Sequence, residues 1–523
     1  MKKIPPAALI AALALTLGAG ALFLNYFEKA PANGESGEIT PGAAEAGGAY
    51  RPLAFKPVSE TGRASIENGG VFALEANVIE GSIGNKKAYF YGYNSQIPGP
   101  VLSVDQGSSV TINFKNNLDQ PTTVHWHGLR LKNANDGVPG VTQSEVKPGE
   151  SFRYELEFPD EGVYWYHPHV REELQQERGL YGAILVKPKS AGYFNKVSRE
   201  EVLFLDDMLL KDGEPYPFPE KVTDFAIMGR YGNQMLVNGR TSYSLSVKAG
   251  EVVRFYLLNA ANVRPFKFSI EGARLKVVGG DSGKFEREFL ADDVTIAPSE
   301  RYIVEARFDK PGKYRVLNRN PVKEWSLGEI TVTAGEPLEK IIFEPPKANP
   351  DIAAGIDGYR EYFEKPADFE YTLTIDIPGA MPMGMMMEHG EDGIEWEDSM
   401  FGMNRVSTSD RLKWIIREDK TGRENADIKA QIQTGKIFKV RIRNDGDSLH
   451  PMQHPIHLHG ARFLVLKADG RENDNLVWKD SVLAPIGKSV ELLTYFPNPG
   501  EWMLHCHIAE HLSSGMMTSI KAV

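Results

Sequence analysis

The chain has 523 residues, of which 41% are apolar and 25% charged, a composition typical of a globular protein with three or four domains. Its 50 glycines and 33 prolines favour a turn-rich β architecture over helix bundles. The net charge of −11 argues against nucleic acid and against an anionic membrane surface as main partners, and a single cysteine excludes an intrachain disulfide.

The N-terminal residues 1–30 have the order of charge and hydrophobicity of a secretory signal. Lys2 and Lys3 precede a nearly unbroken apolar run over 7–24, which suits either a cleaved signal or an uncleaved membrane anchor. Residues 31–64 begin with a segment rich in Gly, Ala, Glu and Pro and predict a flexible tether. We therefore expect an extracytoplasmic protein, in the periplasm or at the cell surface, secreted or membrane-anchored.

Two internal repeats organise the rest of the chain. The first is a glycine, alternating apolar residues and an asparagine, found at 107–116, 250–259 and 435–444. Alternation with period two predicts a half-buried strand. The second is Phe, three residues, Gly, one residue and an aromatic residue, found at 158–164, 308–314 and 496–502. Alternating strands flank each copy, which predicts a strand–turn–strand element.

Three copies of these repeats predict three consecutive homologous domains. We place them at roughly 65–190, 198–337 and 368–523, with a proline-containing linker at 341–367. Many short strands joined by Gly/Pro turns are typical of Greek-key β-sandwiches, so the predicted fold class is all-β.

The second repeat also indicates which domains carry chemistry. The fifth and seventh residues after its glycine are His167 and His169 in the first domain, Leu317 and Arg319 in the second, and His505 and His507 in the third. The middle domain is therefore predicted to have the fold without the ligands.

Ten of the 12 histidines fall into four clusters, 125-HWHG-128, 167-HPH-169, 454-HPIHLHG-460 and 505-HCHIAEH-511. In an H-x-H segment on a strand both rings project from the same face, so one strand can serve neighbouring metal ions. Two pairs from each outer domain supply eight imidazoles, enough for three ions in a cleft between these domains: His125, His127, His167, His169, His457, His459, His505 and His507.

The only cysteine, Cys506, lies between two of these histidines. His454 and His511 remain outside the set of eight, and Met516 follows ten residues after the cysteine. A thiolate, two imidazoles and a weak axial thioether form the ligand set of a blue copper electron-transfer site.

The four clusters resemble the four copper signatures of the multicopper oxidases, the family of laccases and cuprous oxidases. The resemblance covers the chain from about residue 65 to its end and implies three cupredoxin-like domains. It also implies four copper ions: a type 1 ion on His454, Cys506, His511 and Met516, a type 2 ion on His125 and His457, and a type 3 pair on His127, His167 and His507 and on His169, His459 and His505.

The resemblance further implies a mechanism. A reductant gives up single electrons at the type 1 copper, and the chain from Cys506 to His505 and His507 leads them to the other ions, where O2 is reduced to water. Asp136 matches the acidic residue that supplies protons in the family, whereas Leu512 stands where some relatives have a second acid. We expect a monomer.

The reductant is the least determined feature. A methionine-rich insert, 381–403, precedes the third domain's ligands, and thioethers bind Cu(I) well. Candidate contacts to a substrate metal ion are Met381, Met383, Met385, Met386, Met387, His450 and Met452. Three hypotheses stay open: an oxidase of Cu(I) or another metal ion that acts in copper tolerance, an oxidase of phenols whose methionine segment is only a lid, and a copper-binding protein without turnover.

Overall fold

The computed structural model describes residues 56–57, 61–83, 86–337, 339–379, 390 and 392–523. The predicted signal, most of the predicted tether and the methionines at 381–387 lie outside these ranges. Within the described ranges, no helix has both the length and the apolar character needed to cross a membrane. Regular structure there is mainly β-strand, arranged in three successive pairs of sheets, which confirms the predicted all-β class.

The first pair of sheets is built from the first ten strands. These are β1 (Lys56–Pro57), β2 (Arg63–Ser65), β3 (Val71–Ile83), β4 (Lys86–Tyr93), β5 (Val101–Asp105), β6 (Ser109–Asn117), β7 (His125–His127), β8 (Ser151–Glu157), β9 (Gly162–His167) and β10 (Gly182–Lys187). One sheet has the order β1-β3-β6-β8 with β4 on β3, and the other has β2-β5-β10-β9-β7. Because β1 pairs with β3 and β2 with β5, the tether ends earlier than the composition indicates.

The second pair of sheets forms the middle domain. Its strands are β11 (Arg199–Met208), β12 (Leu210–Lys211), β13 (Glu214–Pro215), β14 (Gln234–Val237), β15 (Tyr243–Lys248), β16 (Val252–Asn259), β17 (Phe266–Ile270), β18 (Leu275–Gly280), β19 (Gly283–Ala291), β20 (Val294–Ile296), β21 (Arg301–Arg307), β22 (Gly312–Arg319) and β23 (Glu324–Thr333). The sheet orders are β14-β11-β16-β21-β18-β19 and β15-β23-β22-β17-β20, and β12 and β13 form a separate hairpin.

The third pair of sheets completes the chain. Its strands are β24 (Phe369–Asp376), β25 (Lys413–Glu418), β26 (Ala430–Ile432), β27 (Phe438–Asn444), β28 (His454–Leu458), β29 (Phe463–Ala468), β30 (Arg471–Glu472), β31 (Trp478–Lys479), β32 (Ser481–Ala484), β33 (Ser489–Thr494), β34 (Gly500–Cys506) and β35 (Met517–Ala522). One sheet has the order β25-β24-β27-β33-β29-β30 with β31 on β29, and the other has β26-β35-β34-β28-β32.

The first sequence repeat occupies the same place in each domain. Its strands β6, β16 and β27 each have a parallel neighbour, β3, β11 and β24, and an antiparallel neighbour, β8, β21 and β33. Along β6 the alternating residues Val110, Ile112 and Phe114 are buried, as period two requires. Each domain is therefore built on the same arrangement of central strands.

The second repeat forms a corner between two sheets. In each copy the strand before the turn belongs to one sheet of the domain and the strand after it to the other, as in β8 followed by β9. The glycines that begin β9, β22 and β34 have φ values of +149°, +149° and +146°, a region that side chains disfavour. A glycine is needed where the chain changes sheet.

In the part of the chain that the structure describes, the helices are few and short. They are α1 (Glu172–Gln175), α2 (Pro350–Asp357), α3 (Phe401–Asn404) and α4 (Ala509–Ser513), with 3-10 turns at Asn133–Asn135, Arg360–Tyr362 and Asn425–Asp427. The predicted linker 341–367 is thus partly helical, because Ile356 of α2 is buried against Leu464 and Leu466 of the third domain.

The hydrophobic cores place the outer domains together. One continuous cluster of buried side chains contains residues of both the first and the third domain, such as Trp126 and Trp502, whereas most of the middle domain's interior forms a separate cluster. The strands that carry the histidine clusters lie in the second sheets of these two outer domains.

Candidate metal centre

Strand pairing brings the four histidine clusters together in two pairs. In the first domain β7 runs antiparallel to β9 with His125 opposite His167, and in the third β28 runs antiparallel to β34 with His457 opposite His505. In β7 both histidines of the H-x-H segment lie within the strand, so period two places them on the same side of the sheet. In the other three segments the second histidine follows one or two residues after the strand ends.

The two pairs face each other across the boundary between the outer domains. The His127 ring stacks on His457 with centroids 3.6 Å apart, and the His125 ring stacks on His459 at 3.9 Å. Ligand atoms within 4.8 Å of one another occur in the sets His125, His127 and His457; His127, His167 and His507; and His169, His459 and His505. The structure therefore brings together all eight imidazoles that the sequence predicts for this cleft.

Several rings have a hydrogen-bond partner at one nitrogen, which leaves the opposite nitrogen for a ligand. The Nδ1 atoms of His125 and His457 lie 2.7 Å from the backbone oxygens of Asp136 and Asp480, and Nδ1 of His167 lies 2.9 Å from that of Pro168. An oxygen acceptor at one ring nitrogen puts the proton there and the lone pair on the other.

Those opposite nitrogens fit a metal ion. Among the residues that the structure describes, no hydrogen-bond partner is found for the buried atoms His125 Nε2, His127 Nδ1, His167 Nε2, His169 Nε2 and His457 Nε2. Buried polar atoms are rarely left without a partner, and imidazole suits copper. Metal ions in the cleft would give each of these nitrogens a partner.

Burial keeps the cluster neutral. Desolvation, reinforced by the neighbouring imidazoles, holds the pKa values well below the usual range for His127, His167, His169, His457, His459 and His507. Burial also lowers the pKa of His505 to about 4. Neutral imidazole is the form that coordinates metal ions, so these rings are ready for binding near pH 7.

The second candidate centre surrounds Cys506. Its Sγ lies 3.5 Å from Nδ1 of His454 and 3.7 Å from Nδ1 of His511, and these two nitrogens are 3.2 Å apart. Met516 is fully buried in the same hydrophobic cluster, and its backbone oxygen accepts a hydrogen bond from the Cys506 N–H. Burial raises the pKa of the Cys506 thiol, and a bound cation would favour its thiolate.

Asp136 lies between two histidines of the first centre. Its Oδ2 is 2.9 Å from Nδ1 of His459, and its backbone oxygen accepts from His125. The side chain is buried, as expected of a carboxylate that serves the centre rather than a solvent-exposed turn.

A segment of the middle domain lies beside the Cys506 centre. The backbone oxygen of Ala226 accepts a hydrogen bond from Nε1 of Trp414, whose ring stacks on His511. The backbone N–H of Met228 donates to the side chain of Asn404, just after the predicted methionine-rich insert. His450 and Met452 are buried here as well, and His450 lies 6.4 Å from Trp414, centroid to centroid. The predicted contacts Met381, Met383, Met385, Met386 and Met387 lie outside the described residues.

Several residues that the fold adds to the centres leave no pattern in the sequence. Trp414 stacks on His511 at a centroid distance of 4.1 Å, and Trp165 stacks on His167 at 4.2 Å. Asp480 Oδ1 lies 3.0 Å from Nε2 of His127. Trp414 and Asp480 are distant in sequence from every histidine that they contact, so no spacing pattern could have indicated them.

Leu512 provides no acid, but two other buried acids lie near the ligands. Glu510 of α4 is fully buried beside Asn262 of the middle domain, and burial raises its pKa to about 8. Glu172 of α1 has its Oε1 3.0 Å from Nδ1 of His169.

Comparison with known proteins agrees with this geometry. Family models described as multicopper oxidase match residues 77–191, 205–333 and 400–522. The chain is 25% identical over 438 residues to the multicopper oxidase mco of Staphylococcus aureus, which covers 82% of this chain and 83% of that protein. It is 28% identical over 485 residues to a laccase of Arthroderma benhamiae, covering 82% of this chain and 73% of the laccase.

Solved structures share the fold. A laccase-like multicopper oxidase CueO from Ochrobactrum sp. superposes with a TM-score of 0.70 at 24% identity and covers 89% of this chain and 100% of its own. A multicopper oxidase of Campylobacter jejuni described as a metallo-oxidase has a TM-score of 0.65 at 21% identity. The match covers 90% of this chain and 98% of that protein. All three domains therefore have counterparts in one kind of protein.

Proposed function

The chain belongs to the multicopper oxidase family and is a copper-dependent oxidoreductase. On this basis we propose that it oxidises its reductant one electron at a time beside Cys506 and reduces O2 to water at the histidine cluster. The observation that carries this proposal is the position of Cys506 between His505 and His507, which belong to different sets of the cluster. The two centres are thus joined by adjacent residues of one strand.

The proposed ligand sets follow the groups of neighbouring ligand atoms. His454, Cys506 and His511, with Met516, would hold one ion; His125 and His457 a second; His127, His167 and His507 a third; and His169, His459 and His505 a fourth. Copper at these residues would supply a one-electron acceptor at the thiolate and a site for O2 at the cluster.

The protein's own groups have three tasks in this scheme. Cys506 and its flanking histidines provide a short covalent path between the centres. Asp136, in contact with His459 and His125, is placed to hold and pass on a proton at its carboxylate. The enclosing strands exclude water, which keeps the imidazoles neutral and their lone pairs free.

The burial of the Cys506 centre bears on the reductant. His454, Cys506, His511 and Met516 are each at most 1% exposed, so a bulky donor does not touch a ligand directly. Such enclosure, together with the methionine-rich insert in the sequence of the third domain, favours Cu(I) or another metal ion as the physiological donor. Phenols remain the second candidate, because a donor on the surface can pass electrons without contact and the relatives include a laccase.

Oxygen uptake by the copper-loaded full chain tests both levels of the proposal. We expect uptake with Cu(I) and, more weakly, with a phenol, and a blue absorption band from the Cys506 centre. Deletion of 381–387 should lower the Cu(I) rate and leave the phenol rate unchanged or higher. An unchanged Cu(I) rate would remove the metal-ion role, and a loaded chain without oxygen uptake from any donor would refute the oxidase proposal.

Export, a membrane anchor, a monomeric state and a role in copper tolerance stay predictions of the sequence. They can be checked by cell fractionation, sedimentation and growth of a deletion strain on copper.

A further inference from the structure

The middle domain supplies no histidine to either centre, yet one of its arginines reaches the histidine cluster. Arg301, the first residue of β21, is fully buried. Its guanidinium donates from Nη1 and Nη2 to the two carboxylate oxygens of Asp480, each at 2.5 Å. It also donates to the backbone oxygens of Val163 in the first domain and Ser299 in its own. One side chain thus connects all three domains.

The same carboxylate, that of Asp480, also contacts a ring of the cluster. Its Oδ1 lies 3.0 Å from Nε2 of His127, and the Ser481 hydroxyl lies at the same distance from that nitrogen. An ionised carboxylate only accepts hydrogen bonds, so Nε2 of His127 carries the proton. The lone pair is then on Nδ1, which faces the neighbouring rings and has no hydrogen-bond partner among the described residues.

His127 differs in this respect from three of its neighbours. The rings of His125, His167 and His457 are oriented through Nδ1 by backbone oxygens, which every residue type provides. His127 is oriented through Nε2 by a side-chain carboxylate, which needs a partner of its own because it is fully buried. Arg301 is that partner, and its planar fork matches both carboxylate oxygens.

The space around this contact is filled. Gly128, directly after His127, has φ +86°, and a Cβ there would lie 2.2 Å from Oδ2 of Asp480 and 3.0 Å from Nη2 of Arg301. The Asp281 carboxylate fixes the backbones on either side, because it accepts from the N–H groups of Arg301 and Asp480. The pair therefore has little room to adopt another geometry.

We propose that Arg301 is a positioning residue of the metal centre, through which the middle domain fixes the Asp480 carboxylate and thereby the orientation and tautomer of the His127 ring. This inference rests on the proposed function, since it assigns His127 Nδ1 to a copper ion. It gives the ligand-free middle domain a direct part in the chemistry of the other two.

The test compares Arg301→Lys and Asp480→Asn with Arg254→Lys in the copper-loaded full chain. Lysine keeps the charge and loses the fork. Arg254 lies on β16, the strand beside β21, is likewise buried and donates to Glu305, but contacts no histidine. The readouts are copper bound per chain, its removal by a chelator, the blue band and the electron paramagnetic resonance spectrum of the cluster.

We expect Arg301→Lys to keep the blue band but to hold cluster copper about 10- to 100-fold more weakly, with an altered resonance spectrum. Asp480→Asn should act in the same direction, and the double variant should be no worse than the more affected single variant, since the residues act through each other. Arg254→Lys should match the unmodified chain.

Unchanged chelator resistance in Arg301→Lys, or equal losses in Arg254→Lys, would overturn the inference. Equal loss of blue copper and cluster copper would indicate general destabilisation and would do the same. If Arg301→Lys does not fold, Asp480→Asn decides alone, because it keeps the side-chain volume. An unmodified chain that binds no copper at the cluster would instead refute the proposed function, and this inference with it.

Discussion

Cys506 is the residue at which the two candidate centres meet. Its thiol faces His454 and His511, while the residues before and after it turn their rings into the histidine cluster. The alternation of side chains along β34 separates the two environments, because neighbouring residues of a strand point to opposite faces. A single strand end therefore belongs to both centres.

Replacement of Cys506 by serine tests this assignment. Serine is close in size but provides no thiolate, so Cys506→Ser should lose the blue absorption band and one copper per chain, with oxidase activity at background. Absorption spectroscopy and copper analysis of the purified variant measure these effects. Ser519→Ala, on β35 next to β34, should change none of them, and a blue band that survives in Cys506→Ser would contradict the ligand set.

Asp136 allows a second test at single residues. Asp136→Asn keeps an oxygen that can accept from His459 but cannot carry the acidic proton. We expect oxygen uptake to fall roughly 100-fold with copper content unchanged, since positioned acids contribute about that much to proton transfer. Asp119→Asn is the control, because this exposed side chain accepts a hydrogen bond from the Tyr91 hydroxyl. Equal rates for the two variants would remove Asp136 from proton supply.

At the scale of elements, the corner between the two sheets of each domain is the decisive unit. It takes the chain from β8 to β9 and from β33 to β34, and each of the later strands ends in the ligands of its domain. The same corner leads to Leu317 in the core and to the exposed Arg319 in the middle domain. The element thus provides a position, and the residue at that position decides whether a metal ligand is present.

Substitutions at two of the corner glycines distinguish the effect of backbone strain from the effect of packing. A Cβ on Gly500 would lie 2.4 Å from the Asn133 side chain of the first domain, whereas a Cβ on Gly312 would have nothing within 4 Å. Their φ values are nearly equal. Gly312→Ala should therefore lower the free energy of unfolding only through backbone strain, by about 1–3 kcal/mol. Gly500→Ala should lower it by clearly more. Chemical unfolding monitored by fluorescence compares them, and equal losses of stability would contradict the close approach.

At the scale of the whole molecule, the outer domains form the centres and the middle domain encloses them. The first and third sandwiches share one hydrophobic cluster, so the rings that face each other are held by continuous packing. The middle domain contributes the segment beside the Cys506 centre and the arginine behind Asp480. The ligands of both centres therefore come from the outer domains, and the middle domain completes their surroundings.

This enclosure has a consequence for the metal-free protein at low pH. Burial lowers the pKa of His454 to about 3 and that of His505 to about 4, so the folded chain resists protons that the unfolded chain binds below about pH 6.5. The free energy of unfolding should therefore fall as the pH drops from about 6.5 toward 4, with His454 alone accounting for about 2 kcal/mol at pH 5.

Urea unfolding of chelator-treated protein at several pH values measures this effect. His454→Gln removes one such ring and should make the dependence on pH shallower. Stability that is constant or rises on acidification would show that these rings are not buried and neutral in the folded state.

The sequence by itself determined the all-β fold class, the repeated strands and the identity of the histidines that meet. Each depends on local order: period two along a strand, a glycine at a corner and paired histidines two residues apart. Local order did not indicate the strands at 56–57 and 63–65 or the helix at 350–357, because pairing with distant strands and burial of Ile356 are not visible in composition.

Only the tertiary structure decided what surrounds the ligands. Trp414, Asp480 and Arg301 are far in sequence from the rings that they contact or support, and strand pairing together with domain packing brings them there. The reason is physical. Ligands repeat with the strand period and so leave a pattern, whereas an orienting carboxylate or a covering indole needs only to arrive at one point in space, which many distant positions in a sequence can satisfy.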